Sequence, residues 1–328
     1  MRAIQLTAYG DPAKFLQNVE LPEPKQPGQN EVLIAVDFSP LNPNDLMLAL
    51  GIYSVHPELP SVIGNEGVGH VIAVGHEVTN IQIGDRVLVP LHVFAWAERV
   101  VAPATDLIKL SLMPDLHQLA MLRINPPTAA LLLSEYIALK RGDWIVQNAA
   151  NSGVGRAVIA FAKERGIRTV NLVRRPELID ELTAAGGDIV LVDSPDAPHF
   201  IRERTANASI RLALDGVSGP ATALLGSIVS TDSTIVSYSA MSGAPMSISP
   251  LDVIFKRITV RGFLLSGFDF ASFVRPAIEQ AAELIATGRL YAPVAAIYPL
   301  SAIKTAVEHT QRGGKVLLAV NEILNRAA

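Results

Sequence analysis

From about residue 128 the sequence alternates strand-like apolar runs with helix-like segments, and this rhythm constrains the fold more than any other feature of the chain. DWIVQNA precedes VGRAVIAFAKERG, TVNLV precedes PELIDELTAAG, DIVLV precedes a polar helix, RLALDG precedes ATALLGSIV, and TIVSYS follows. ITVRGFLL (258–265) fits a sixth strand, with a helix after it over residues 272–288. Strands that recur with a helix between them must run parallel, so the pattern predicts a doubly wound α/β sheet. Before it the rhythm differs. EVLIAVDF (31–38), GHVIAVG (69–75), DRVLVPL (85–91) and AERVVA (97–102) are short apolar runs broken by Pro and Gly, the signature of a strand-rich barrel or sandwich. After the 272–288 helix, YAPVAAIYPL, a helix SAIKTAVEHT and KVLLAV read as the chain returning to the first lobe. Two lobes also suit 328 residues, more than one hydrophobic core usually supports.

The strand Trp144–Gln147 runs into Asn148-Ala149-Ala150-Asn151-Ser152-Gly153-Val154-Gly155, after which Ala157, Val158, Ala160 and Phe161 form a helical apolar face. Such a turn aims free backbone N–H groups and a helix N-terminus at a pyrophosphate. Against the general G-x-G-x-x-G pattern, Ala150 and Ser152 replace the first two glycines and only Gly155 remains. By itself the segment also fits a small-residue turn with no ligand. The next strand ends in Arg174 and Arg175, 19 and 20 positions beyond Gly155 (174 − 155 and 175 − 155), where an acid would normally bind a ribose 2′-hydroxyl. Guanidinium groups there favour a 2′-phosphate, hence NADPH over NADH, although two solvated arginines capping a strand are the bland alternative.

Composition narrows the rest. A net charge of −4 lacks the basic footprint of a nucleic-acid binder. No stretch approaches the length of a membrane span, and MRAIQLTAYG has neither a cationic segment nor a signal-type apolar run, so the expectation is a cytoplasmic, membrane-free globule, with a mature organellar form left open. The chain has no cysteine, which excludes disulfides, thiolate metal sites and thiol nucleophiles, and the seven histidines show no ligand spacing. No metal is expected.

Along nearly its whole length the chain resembles the medium-chain dehydrogenase/reductase superfamily, in its zinc-free branch. Where zinc members of that superfamily carry a cysteine and a histidine, this chain has Asn42, in LNPND, and Asn65, in GNEGVG. A neutral amide is a poor zinc ligand. The likeness is greatest to mitochondrial-type 2-enoyl thioester reductases. It rests on Asn42-Pro43-x-Asp45, Gly51-Ile52-Tyr53 followed by Pro57-Glu58-Leu59-Pro60, Gly64-Asn65-Glu66-Gly67, Asn125-Pro126-x-Thr128-Ala129, and the turn Gln147–Gly155, in which Ala150 and Ser152 are normal for the family.

The resemblance implies a GroES-like β-barrel catalytic domain over residues 1–122 and 289–328 and a Rossmann NADPH-binding domain over residues 123–288. It implies Tyr53 as the proton donor and Asn125, Asn151, Ser152, Gly153, Val154, Gly155, Arg174, Arg175, Tyr238, Met241, Phe263, Leu265 and Lys315 as cofactor contacts. Two departures stand out: the family's Arg-Asp-Arg is shortened to Arg174-Arg175-Pro176, and Leu264 replaces an aromatic. Asn42, Asn65, Trp96 and Leu264 are candidates for the substrate pocket, with core filling the favoured alternative for Trp96 and Asp45 equally able to cap a helix.

Three functions follow as expectations. The first is NADPH-dependent reduction of the C=C bond of an enoyl thioester, with Tyr53 donating a hydrogen bond or proton, because a phenol near neutral pH is a donor rather than a base. The second is a quinone or enone reductase on the same scaffold. The third is an NADPH-binding sensor without turnover. A homodimer through the apolar edge strand 258–265 is a family-level expectation.

Overall fold

A computed structural model describes residues 1–110 and 115–321. The chain divides into two compact units, one formed by Met1–Ile124 with Ala292–Ala328 and the other by Asn125–Tyr291. In the first, β1 (Arg2–Leu6) pairs antiparallel with β2 (Leu16–Glu20) across the short helix α1 (Pro12–Phe15). β3 (Glu31–Leu41) is buried from Val32 onward and is followed by α2 (Pro43–Leu50). β4 (Ser61–Val62) pairs with β1. Then come β5 (Val68–Val74), β6 (Arg86–Leu88), β7 (Arg99–Pro103), β8 (Ile108–Lys109) and α3 (Leu116–Leu119).

The strand-like run expected over residues 31–38 continues as a strand to Leu41, because it is paired along its whole length: with β5 and β7 at its start and with Val316–Ala319 at its end. Beneath it lies a core that includes Ile4, Leu6, Ile34, Val36, Leu48, Ile63 and Trp96. Trp96 is fully buried, so of its two readings, pocket lining and core filling, the structure gives core filling.

The second unit opens with α4 (Asn125–Leu132) and holds β9 (Trp144–Gln147), α5 (Gly153–Arg165), β10 (Arg168–Val173), α6 (Ile179–Ala184), β11 (Ile189–Val192), α7 (Ala197–Arg204), β12 (Ile210–Asp215), α8 (Pro220–Ile228), β13 (Thr234–Ser237), α9 (Pro250–Lys256), β14 (Thr259–Gly262) and α10 (Arg275–Ala286). Its six strands lie in the order β11-β10-β9-β12-β13-β14, every pairing parallel. The order reverses beside β9, and ligands of such sheets bind outside the carboxyl ends of the strands at that point. α5 buries Val154, Ala157, Val158 and Phe161 on one face, with Ser152 at its N-cap and Gly166 closing it in a left-handed conformation.

The expected sixth strand is shorter than its apolar run. It ends at Gly262, beyond which Leu265–Gly267 turns as a 3-10 helix and Phe270–Val274 as a single π-helical stretch before α10. The first unit also holds β15 (Val294–Pro299), α11 (Ile303–Arg312) and β16 (Lys315–Ala319), the strand β16 pairing antiparallel with residues 38–41 of β3. Among the described residues no helix is long and apolar enough to cross a membrane.

Phe161 is fully buried, so emptying its place removes apolar burial and leaves a cavity. Phe161→Ala is expected to cost about 3–5 kcal/mol of stability, read as a lowered midpoint in denaturant unfolding followed by far-UV circular dichroism.

Candidate active site

The turn between β9 and α5 is assembled mostly by polar side chains. Ser152 Oγ accepts the N–H of Gly155 at 3.1 Å, capping α5. Gly155 is held tightly against the turn: a Cβ there would stand 2.5 Å from the carbonyl oxygen of Ala150, so only glycine fits. Below it, Gln147 Nε2 donates to the carbonyl of Gly155 at 3.0 Å and to Asn171 Oδ1 at 2.8 Å, and Asn171 donates to Thr169 Oγ1 and to the carbonyl of Ile189. This buried ladder crosses β9, β10 and β11 and ties the first turn of α5 to the sheet. Arg156 bonds the carbonyl of Asn151 at 3.2 Å and pairs with Glu181 at 2.6 Å. Asn125 lies directly on the turn, its Nδ2 2.6 Å from where a Cβ on Gly153 would be.

On the other side of β9, the buried Asp215 at the end of β12 accepts from Asn148 Nδ2 at 2.8 Å, from the N–H groups of Val217 and Ser218 at 3.0 and 2.9 Å, and from Thr222 Oγ1 at 2.6 Å. Asn148 Oδ1 returns a bond by accepting the N–H of Gly216, whose carbonyl accepts the N–H of Met241. Burial, with the charge of Asp215, pushes the Tyr238 phenol well above its ordinary range against a hydrogen bond with Ser152. Tyr238 is therefore a neutral hydroxyl at the edge of the turn. Met241 is exposed, Phe263 stacks on Phe268 with ring centroids 5.4 Å apart, Leu264 is exposed and Leu265 half-buried.

Arg174 and Arg175 stand exposed at the end of β10. Burial pushes the neighbouring Asp193 up, and the charge of Arg174 opposes the shift. The end of β10 thus carries two guanidinium groups beside one half-buried carboxyl group.

The first unit contains a second polar constellation, this one charged. Asp45, in the first turn of α2, accepts at Oδ1 from the N–H and Nδ2 of Asn65 (2.9 and 2.8 Å) and at Oδ2 from the N–H of Asn42 (2.8 Å). The side chain of Asn42 donates to Glu66 Oε1 at 2.6 Å and accepts from Lys315 Nζ at 2.6 Å. Glu66 Oε2 accepts the N–H groups of Arg123 and Ile124, both at 3.1 Å. Burial pushes Glu66 up to about 7 and Asp45 up to about 6, against the opposing pull of Lys315 and their own hydrogen bonds. Burial draws Lys315 down, while Glu66 and Asp45 hold it up.

Tyr53 follows α2 directly, past the left-handed Gly51, and packs half-buried against the core of this unit. Burial pushes its phenol above the ordinary 10.0, the charge of Asp45 adding to the shift and a hydrogen bond with Asn44 opposing it. The residues singled out in the sequence thus fall into two sets. Asn42, Tyr53, Asn65 and Lys315 belong to the first unit, and Asn125, Asn151–Gly155, Arg174, Arg175, Tyr238, Met241 and Phe263–Leu265 to the second. Lys315, expected at the cofactor, is bonded in this structure to Asn42. Sequence reasoning gave no role to Glu66, Asp215 or Gln147. The only visible signals were a carboxylate inside GNEGVG, an Asp-Gly closing RLALDG, and a Gln at the end of a buried strand.

A family model described as "Alcohol dehydrogenase GroES-like domain" matches residues 28–112, and one described as "Zinc-binding dehydrogenase" matches residues 153–287. Zinc does not suit the donor set seen here. Asn42 and Asn65 offer amides already bound to neighbours, and the ammonium of Lys315 is bonded to Asn42 Oδ1, where a second cation would be repelled. The chain is 34% identical to the human "Enoyl-[acyl-carrier-protein] reductase, mitochondrial", over 95% of this chain and 86% of the relative. Among solved structures it superposes on an Etr1p variant in complex with NADP and crotonyl-CoA (TM-score 0.85, 25% identity, 97% of this chain and 98% of that one). It also superposes on the Escherichia coli quinone oxidoreductase complexed with NADPH (TM-score 0.86, 25% identity, 97% and 100%). The expectation of a cytoplasmic enzyme is overturned, because curated relatives from human, Dictyostelium discoideum and Xenopus tropicalis are named mitochondrial. A parallel sheet with a capped small-residue turn, a GroES-like unit in which amides and an ammonium stand in place of metal ligands, and identity sustained across almost the full length lead to one assignment: the chain belongs to the mitochondrial-type enoyl thioester reductases of the zinc-free medium-chain dehydrogenase/reductase superfamily.

Proposed function

We propose that the protein reduces the C=C bond of 2-enoyl thioesters with NADPH, and the observation that carries this reading is Tyr53: a half-buried phenol pushed further up by burial, beside a carboxylate, in a segment that resembles that of enoyl thioester reductases. The nicotinamide supplies the hydride that reaches the β-carbon. The protein's own residues do the rest. Free N–H groups at the start of α5, with Ser152 and Gly153, receive the pyrophosphate. Arg174 and Arg175, exposed at the end of β10, grip the 2′-phosphate. Negative charge that develops on the thioester carbonyl oxygen calls for preorganised donors. Tyr53 is such a donor, and it gives its proton as the saturated product forms.

A quinone or enone reductase is the second reading, favoured by the likeness to the Escherichia coli quinone oxidoreductase and by Leu264, an exposed aliphatic at a position where the family has an aromatic. Wild-type protein assayed by NADPH absorbance against crotonyl-CoA, longer enoyl-CoAs and quinones separates the two. Turnover of enoyl thioesters is expected, and turnover confined to quinones sinks the first reading.

We further infer a homodimer. β14 closes one end of the sheet with Thr259–Gly262 exposed, and α9 before it exposes Leu251, Ile254 and Phe255. An unpaired apolar edge of this kind favours pairing with a second copy. The neighbour Etr1p is described as an Etr1p/Etr2p heterodimer from Candida tropicalis.

Four outcomes test these proposals. Tyr53→Phe is expected to lower kcat on crotonyl-CoA at least about tenfold with NADPH affinity unchanged. Because the phenol is held above 10.0, the donor form persists up to that pH, so wild-type kcat should carry no alkaline limb from this group at lower pH. Replacing Arg174 and Arg175 together by Ala is expected to raise KM for NADPH about 10- to 100-fold, on the scale of lost charge-assisted hydrogen bonds, while leaving KM for NADH nearly unchanged. Light scattering should return twice the chain mass for the wild type and the monomer mass for Val260→Asp.

A further inference from the structure

Glu66 has a position that the chemistry assigned to Tyr53 and the cofactor turn does not use. It lies in the loop between β4 and β5, fully buried, and its carboxylate bonds in two directions. One oxygen accepts the amide of Asn42, which also binds Lys315, and the other accepts the N–H groups of Arg123 and Ile124. Those two residues are the last of the first unit before the chain enters the second. The next residue, Asn125, is the one whose side chain lies on Gly153 of the cofactor turn.

All three groups that face the carboxylate are N–H donors. An ionised carboxylate can satisfy all of them, whereas a carboxylic acid presents a hydroxyl proton on one oxygen and must face a donor with it. Protonating Glu66 therefore weakens its hold either on Asn42 or on residues 123–124. The charged and titratable groups around it are Asp45 from α2, whose charge favours its protonation, Lys315 from β16, which disfavours it, Tyr53 beyond Asp45, and Arg123 on the held segment itself. From β3, Ser39 donates to the backbone carbonyl of Glu66 and fixes the loop independently of the carboxylate.

We propose that Glu66 is a positioning residue whose ionised carboxylate fastens residues 123–124, and through them Asn125 at the cofactor turn, so that gaining a proton loosens the segment and weakens cofactor binding. This rests on the reading that the turn binds NADPH. Glu66 titrates near neutrality, in reach of physiological pH. The second crossing, at Ala292, is held by a pair that cannot titrate: Gln118 Nε2 donates to the carbonyl of Ala292 and Gln118 Oε1 accepts its N–H, both at 2.9 Å. It serves as an internal control.

The test compares NADPH dissociation constants of the wild type and Glu66→Gln from pH 5.5 to 8.5 by calorimetry. The 2′-phosphate of the ligand itself titrates near pH 6, so the quantity read is the ratio of variant to wild type, in which the ligand's own titration cancels. The ratio is expected to be several-fold at pH 8.5, where wild-type Glu66 is ionised, and to fall toward one at pH 5.5, where both proteins carry a neutral side chain. A ratio that stays constant across the range overturns the proposal. Amide hydrogen exchange on the wild type provides a second reading that does not depend on the variant folding or on NADPH binding. After correction for intrinsic rates, protection at Arg123 and Ile124 is expected to drop below about pH 7 while that at Ala292 is kept. Unchanged protection at 123–124, or equal loss at all three sites, refutes it. Wild-type protein that fails to bind NADPH, yet shows the selective loss at 123–124, rejects the NADPH reading and leaves the hold of Glu66 standing.

Discussion

The first unit depends on burying two carboxylates and drawing an ammonium out of water within a few bonds of one another. Desolvating an ion costs several kcal/mol unless hydrogen bonds and an opposite charge compensate, and the compensation here is specific. Asp45 takes three donors and Glu66 takes three, with Asn42 standing between Glu66 and Lys315. The raised values of Asp45 and Glu66 show that compensation is incomplete, burial outweighing every opposing contact. Such a cluster favours one arrangement of its parts, since losing any partner leaves a buried group unpaired. It fixes the start of α2, and therefore the direction in which the chain leaves that helix toward Tyr53.

The second unit solves a different problem with neutral groups. Its turn lacks two of the glycines that usually let backbone approach a pyrophosphate, so the close approach is concentrated at Gly155 and the shape is held from beneath by Gln147 and Asn171 and from the side by Asp215 and Asn148. Ala149 pays locally, with a backbone φ of 48° that non-glycine residues seldom adopt. A turn fastened by buried side chains is preorganised, which reduces the ordering that a bound dinucleotide would otherwise have to impose.

What could be read from the sequence was whatever local pattern encodes. The α/β alternation and the helical face Ala157-Val158-Ala160-Phe161 depend on neighbours within a turn or two, and the structure has both. The arginines at the end of β10 were legible because a parallel sheet makes strand ends predictable from spacing. The Glu66–Lys315 relation was not, because it is created by β16 returning to pair with β3, 249 residues after Glu66 (315 − 66). Trp96 was ambiguous for a related reason: an aromatic in an apolar run suits a pocket or a core, and only the surrounding packing decides. The sixth strand was overextended because ITVRGFLL stays apolar past Gly262, where strand pairing stops but the chain remains at a sheet edge.

The same electrostatics explain why this scaffold suits alkene reduction rather than alcohol oxidation. A zinc ion activates an alcohol by stabilising the alkoxide, and it is held by thiolate, imidazole or carboxylate ligands. Here amides, with an ammonium bonded to one of them, occupy the region, and the nearby carboxylates hold on to their protons more tightly than usual. The first unit therefore offers groups that carry a proton near or above neutrality, a phenol and two buried carboxyls, in place of metal ligands. Hydride addition to a conjugated alkene needs such a group, since the charge it generates on oxygen is quenched by a hydrogen bond and then a proton. Tyr53, raised by its own burial and by the charge of Asp45, meets this requirement because its neighbours make losing the proton to water costly while leaving it available to a stronger base formed in the reaction.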